Sequence, residues 1–139
     1  MEMLVKKHIS MMTAEEKRFI EEVVLPKAKV KFLTKHAKDQ AKARDIHYTL
    51  KDFQDEICLD NLIEFNNNNG KMAMLFTSKK VVKNRFKGKS HIKFVLGFNY
   101  AIVSTWANNV KDHHKTLDLA QYNKNAKVKD LYTGWVDGK

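Results

Sequence analysis

The chain predicts an α+β domain in which N-terminal helices pack on one face of a twisted antiparallel sheet. Three observations predict it. Before residue 60, apolar residues recur at helical spacing behind hydroxyl caps. After residue 61 the period changes to two, and Asn-Gly and Lys-Gly-Lys turns punctuate short apolar runs. The 139 residues suffice for one core without disulfides or a structural metal. The expectation is a single domain over residues 1–139, helical to about residue 60, sheet from about 61 to 106 and a polar tail from about 107.

The elements follow in chain order. Thr13-Ala14-Glu15-Glu16 has the form of a capping box, and Phe19, Ile20, Val23 and Val24 continue it as a helix from about 13 to 25. Pro26 disfavours the helical conformation at Leu25 and marks the end, after which Val30 and Phe32 alternate with lysines as an extended segment. A second helix opens at Thr34 or Lys35 and runs to about Arg44. Thr49, with Asp52 three residues on, caps a third helix that presents Leu50, Phe53 and Ile57 on one face and stops near Asp60. Five short strands then read as a meander: Leu62 to Phe65, Met72 to Thr77, Lys80 to Phe86, Ile92 to Leu96 and Tyr100 to Trp106. Asn69-Gly70 is a hairpin turn, because both residues reach positive φ at little cost. Beyond Val110 the apolar residues are sparse, and Leu131, Tyr132, Trp135 and Val136 are expected to dock on the body.

The charge is partitioned along the chain. Between Phe65 and Lys111 there is no Asp or Glu, yet Lys71, Lys79, Lys80, Lys83, Arg85, Lys87, Lys89, Lys93 and Lys111 lie there, within a net charge of +10. Removal of acids from the stretch that reads as strands predicts a surface for a polyanion, with nucleic acid the leading partner. The alternative is a lysine-rich face that serves solubility. The expected contacts are Lys79, Lys80, Lys83, Arg85, Lys87, Lys89 and Lys93, with Trp106 as a stacking platform or as core.

Cys58 is the single cysteine, so no internal disulfide forms. It is expected on the apolar side of the third helix as a buried thiol, which fits a reducing, cytoplasmic setting. The N-terminus lacks the apolar run of a signal peptide, and no stretch of eighteen apolar residues would span a bilayer.

Two constellations carry functional groups. His36, Gln40 and Arg44 follow at i, i+4 and i+8, on one side of the second helix. A histidine exchanges a proton near neutral pH, and an arginine grips two phosphate oxygens, as phosphodiester cleavage requires. After the last strand, His113 and His114 add acid/base candidates, which with Asp112 could instead ligate a metal, and His91 stands in reserve at the start of a strand. His8 and His47 read as surface residues. Adjacent histidines without HxxxH, HExxH or CxxC spacing are poor metal ligands. No glycine-rich phosphate loop or Gly-x-Ser-x-Gly elbow appears, so neither a metal nor a cofactor is expected.

The run Phe32-Leu33-Thr34-Lys35-His36-Ala37, then Arg44-Asp45-Ile46, a capped helix and strands ending in Ile102-Val103-Ser104-Thr105-Trp106 resembles the small ribonuclease toxins of the BrnT-like and RelE-like superfamily. It is also similar to the phage endoribonuclease of early messages. His36, Arg44 and Ile46 match the spacing, whereas Gln40 stands where many members carry an arginine. The resemblance covers about residues 30 to 118. It implies a RelE-like fold, a metal-independent endoribonuclease that cleaves by attack of the RNA 2′-hydroxyl, and an acidic antitoxin or inhibitor protein as a further partner. On that reading His36 is acid or base, His113 or His114 its counterpart, and Arg44 with Lys89 or Lys93 holds the phosphate. A non-catalytic nucleic-acid-binding module, or one that inhibits a host protein, is the alternative.

Overall fold

The computed structural model describes residues 4–111 and 121–136. The architecture is α+β. A six-stranded sheet in the order β1-β3-β4-β5-β6-β2 is built from β1 (Leu4–His8), β2 (Phe32–Leu33), β3 (Leu62–Asn68), β4 (Lys71–Asn84), β5 (Gly88–Gly97) and β6 (Ala101–Asn109). The helices are α1 (Ala14–Phe19), α2 (Lys35–Ala43), α3 (Leu50–Asp55) and α4 (Val128–Leu131). No helix among the described residues is long and apolar enough to cross a membrane.

The expected antiparallel meander forms β3 to β6, and two edge strands alter the sheet. Phe32 and Leu33 pair parallel with Ala101 and Ile102, so the sheet is mixed rather than antiparallel. Leu4 to His8 pair antiparallel with Asn68 to Glu64, a strand that the sequence reading does not anticipate. Its period of two is hidden because the inward residue beside Val5 is Lys7.

Paired residues share a face of a sheet, which fixes what each face carries. On the helix side, Phe65, Met72, Met74, Phe76, Ile92, Phe94, Leu96 and Ile102 are each at most 1% exposed. Ile20, Val24, Ala37 and Phe53 meet them from the helices. Phe53 lies edge-on to Phe94 at 5.0 Å, and Phe94 stacks on Phe76 at 5.4 Å. Each such ring contributes about 1.5–3 kcal/mol by leaving water.

Several boundaries differ from expectation. The first helix begins with the full Thr13–Glu16 capping box and continues through a π turn over Ile20–Val24, which keeps Ile20 and Val24 both buried. It ends in a tight turn, Leu25–Lys27, that contains Pro26. The third helix stops at Asp55, short of Asp60, and Cys58 is exposed rather than buried. The two expected strands at 72–77 and 80–86 are one strand, β4, with a bulge between Thr77 and Val81. Asn69 and Gly70 have φ of 55° and 86°, the two positive values that a two-residue hairpin turn between Asn68 and Lys71 needs. The polar tail starts later than residue 107, because β6 extends to Asn109.

The C-terminal residues close the side next to β1. Lys7 is 4% exposed and donates to both Glu16 carboxylate oxygens, at 2.8 and 2.9 Å, and to the Ala126 carbonyl at 2.6 Å. The Val128 N–H donates to Glu16 as well. Val128 and Leu131 are buried. Trp135 stacks on Tyr100 and donates from Nε1 to the Val24 carbonyl, as expected for a docked tail.

Candidate nucleic-acid interface

The placement of the interface starts with Thr34. Its hydroxyl accepts from the Ala37 N–H and caps α2 directly after β2, while buried Ala37 holds the first turn against the core. Strand β2 covers β6 only at Ala101 and Ile102. Further along that edge the backbone groups of buried Thr105 are both satisfied by α2. Gln40 Oε1 accepts from the Thr105 N–H and from the Ser104 hydroxyl, each at 3.0 Å, and Arg44 Nη1 donates to the Thr105 carbonyl at 2.8 Å. Edge strands need such cover, because unpaired backbone groups invite another chain. An acceptor is required at position 40, which a guanidinium cannot supply. The departure from the arginine of the resemblance therefore has a structural reason in this fold.

Asp45, in the left-handed conformation at φ 55°, ends α2, and the hairpin between β4 and β5 is anchored there. Asn84, 3% exposed, donates from Nδ2 to the carbonyls of Arg44 and Asp45 and accepts at Oδ1 from the N–H groups of Phe86 and Lys87. The turn that carries Arg85, Phe86 and Lys87 is thereby held beside the C-terminus of α2. Phe86 is 62% exposed and Arg85 lies 5.5 Å from its ring centre. A cleft of about 560 Å³ runs between these pieces, lined by Gln40, Arg44, Phe86, Lys87, Trp106 and Asn108 among others. It offers two aromatic rings, two cations and amide groups, and none of its described lining residues is an acid.

The cleft is continuous with the sheet face opposite the helices. Asn108 pairs with His91 and His91 with Val81, and Trp106 pairs with Lys93 and Lys93 with Thr77, so each row crosses three strands on that face. Lys83 pairs with Lys89 one step nearer the turn. A second groove of about 580 Å³ is lined there by Val81, Val82, Lys83, Lys89, His91 and Val110. Neither groove has a carboxylate among its described lining residues.

The expected residues fall into groups. Arg44, Lys87 and Trp106 meet in the cleft, and Trp106, half-buried, faces it rather than the core. Lys83, Lys89 and Lys93 share the open face, with Lys83 and Lys89 exposed and Lys93 half-buried. Lys79 is exposed in the bulge of β4. Lys80 takes another direction: it lines neither groove but a smaller pocket with Asp45 and Asp52 on the helix side, which Lys83 also borders. The Thr49 N–H, which donates to its carboxylate, then the Thr49 hydroxyl and, less, the nearby Lys80 ammonium hold Asp52 below its usual range. Beside it, burial pushes the Tyr48 phenol up to about 12. His36 is exposed on the first turn of α2, one turn before Gln40, and does not line the cleft. His113 and His114 lie outside the described residues.

Sequence reasoning missed Asn84, Phe86 and Asn108. The run Asn84-Arg85-Phe86-Lys87-Gly88 carried a signal for the first, since a side-chain amide before a glycine-closed turn can satisfy the turn's N–H groups. Comparison with protein-family models, curated proteins and solved structures finds no match for this chain.

Proposed function

We propose that the protein is a metal-independent endoribonuclease of RelE-like type, which holds single-stranded RNA along the cleft of α2 and β6 and across the cationic sheet face. One observation carries the reading: Arg44, Lys87, Trp106 and Phe86 converge on a cleft with no acid among its described lining residues, beside a face that displays Lys83 and Lys89. Cations follow the phosphates, and exposed rings stack on bases, which is the combination that single-stranded nucleic acid requires. Because RNA carries its own 2′-hydroxyl nucleophile, the protein has only to move protons and to stabilise charge on the phosphate. Arg44 is suited to the second task. Its Nη1 donates to the Thr105 carbonyl, which restrains the guanidinium at the cleft wall, and a guanidinium has further N–H groups with which to grip a phosphate. His36, exposed one turn before Gln40, is not among the residues that line the cleft.

The test is incubation of the protein with end-labelled single-stranded RNA in excess EDTA, with Arg44→Lys prepared in parallel. Discrete fragments ending in 2′,3′-cyclic phosphate, reduced at least tenfold in the variant, are the expected result. RNA that is bound but left intact would replace the nuclease by a non-catalytic binding module on the same surface.

A further inference from the structure

We infer that His91 is a catalytic acid/base group of this surface, acting on the 2′-hydroxyl of RNA bound across the open sheet face. The inference rests on the ribonuclease reading above and assigns a proton-transfer role within it.

The bulge of β4 makes the case. Between the pairs Thr77–Lys93 and Val81–His91, β4 inserts Ser78, Lys79 and Lys80 opposite the single residue Ile92. Bulges break the ladder and leave backbone groups without strand partners. Here Ser78, 1% exposed, takes them over: its hydroxyl accepts from the Ile92 N–H at 2.8 Å and donates to the Lys80 carbonyl at 2.7 Å. The Ser78 carbonyl is thereby fixed, and it lies 2.7 Å from His91 Nδ1. A carbonyl only accepts, so Nδ1 carries the proton. In the neutral ring the lone pair is then on Nε2.

The ring is therefore held in one tautomer and one orientation by a buried group, the arrangement in which a histidine works as a base. It is half-buried and lines the groove with Val81, Val82, Lys83, Lys89 and Val110. Lys83 and Lys89 bear the charge needed to hold a phosphate there. His91 is also the cross-strand neighbour of Asn108, a lining residue of the α2 cleft, so one strand of RNA can reach both.

The step balances without a co-reactant. The 2′-O–H proton passes to Nε2 as the 2′-oxygen bonds to phosphorus, the bond from phosphorus to the 5′-oxygen breaks, and that oxygen takes a proton from water. The products are a 2′,3′-cyclic phosphate and a 5′-hydroxyl, and the imidazolium returns its proton to solvent.

The experiment compares wild type with His91→Asn, whose Nδ2 can keep the bond to the Ser78 carbonyl while the Nε2 base is gone. Cleavage of labelled single-stranded RNA in EDTA, the affinity for that RNA and the thermal midpoint are measured together. A loss of cleavage of at least about 100-fold, with affinity within about threefold and the midpoint unchanged, is expected. If His91→Phe, which also removes the base, cleaves at the wild-type rate while folded, the inference is overturned. Equal cleavage by His91→Asn overturns it too, and so does a loss of affinity that accounts for the whole loss of cleavage. Wild-type protein that binds RNA without cutting it would instead overturn the ribonuclease reading itself, and the role of His91 with it.

Discussion

Lysine serves opposite purposes at the two ends of this sheet. Along the edge made by β1, Lys7 is buried and its three N–H donors are consumed by Glu16 and the Ala126 carbonyl. Around the β4–β5 hairpin, Lys83, Lys87 and Lys89 are exposed, and the cleft and the open-face groove have no carboxylate among their described lining residues, although Lys83 also borders the pocket of Asp45 and Asp52. The same contrast holds for the carboxylates. Glu64 is 5% exposed beside β1 and receives the Tyr122 hydroxyl at 2.7 Å, whereas the span that forms β4, β5 and β6 has no acid at all. Charge at the first end is neutralised internally and holds the chain termini together. Among the described residues, the cleft and the open-face groove at the second end hold no acid to offset their cations.

Removal of the buried charge should do the most damage. Lys7→Met leaves Glu16 in its site with only the backbone N–H groups of Thr13 and Val128 for company. Breaking a buried pair from one side costs about 3–5 kcal/mol, so the midpoint of urea unfolding should fall steeply. An unchanged midpoint would mean that Lys7 and Glu16 are as dispensable as a surface pair, and the contrast between the two ends would collapse.

The second effect sharpens the border of the open end. Gln40→Arg removes the acceptor for the Thr105 N–H and the Ser104 hydroxyl. An orphaned donor at this partly covered edge costs about 1–3 kcal/mol. Unfolding measured by circular dichroism should show that loss, and amide exchange should quicken at Thr105. Stabilisation by the substitution would show that α2 grips β6 without this bond.

Acid should act on the closed end first. Burial lowers the pKa of His8, with Glu64 opposing the shift. For Glu16, burial acts upward, but the bond from Lys7 and the N–H groups of Thr13 and Val128 outweigh it, and the pKa is lowered. In both cases the folded state takes up protons less readily than the unfolded chain, so stability falls as pH falls. The His8 contribution is lost from about pH 6.5 down through its folded pKa, and that of Glu16 from about 4.5 downward. Urea titrations across this range should show both losses, and Lys7→Met should reduce the lower one while leaving the upper.

How much of this was legible follows from where each pattern is local. The caps at Thr13, Thr34 and Thr49 and the turn at Asn69-Gly70 depend on neighbours three or fewer residues away, and each was readable. Strand β1 was not, because a lysine on the inward face reads as polar until Glu16 and Ala126 arrive from elsewhere in the chain. Strand β2 is only two residues long, too short for any period to register. At the site, the cationic character of residues 71–93 was plain, whereas the direction of each side chain was not. The bulge after Thr77 decides it, and the bulge is stabilised by Ser78 through contacts to Ile92, across the strand pair.

That bulge gives the last test, in which stability should hardly move. Lys87 and Lys89 line the two grooves, and Lys83 lines the open-face groove as well as bordering the pocket of Asp45 and Asp52, whereas Lys80, two residues after Ser78, lines that pocket and neither groove. The triple change Lys83→Gln, Lys87→Gln and Lys89→Gln should leave the unfolding midpoint within about 0.5 kcal/mol, as exposed charges do. It should weaken RNA binding and make the slope of log affinity against log salt shallower by about 2, since three phosphate contacts at about 0.7 each are removed. Lys80→Gln should leave that slope as it is, although it carries the same charge in the same stretch of sequence. If Lys80→Gln lowers the slope as much as each of the other three, binding tracks total charge rather than the surface the fold builds. The exposed cations would then constitute no site, and the two ends of the sheet would differ only in solvation.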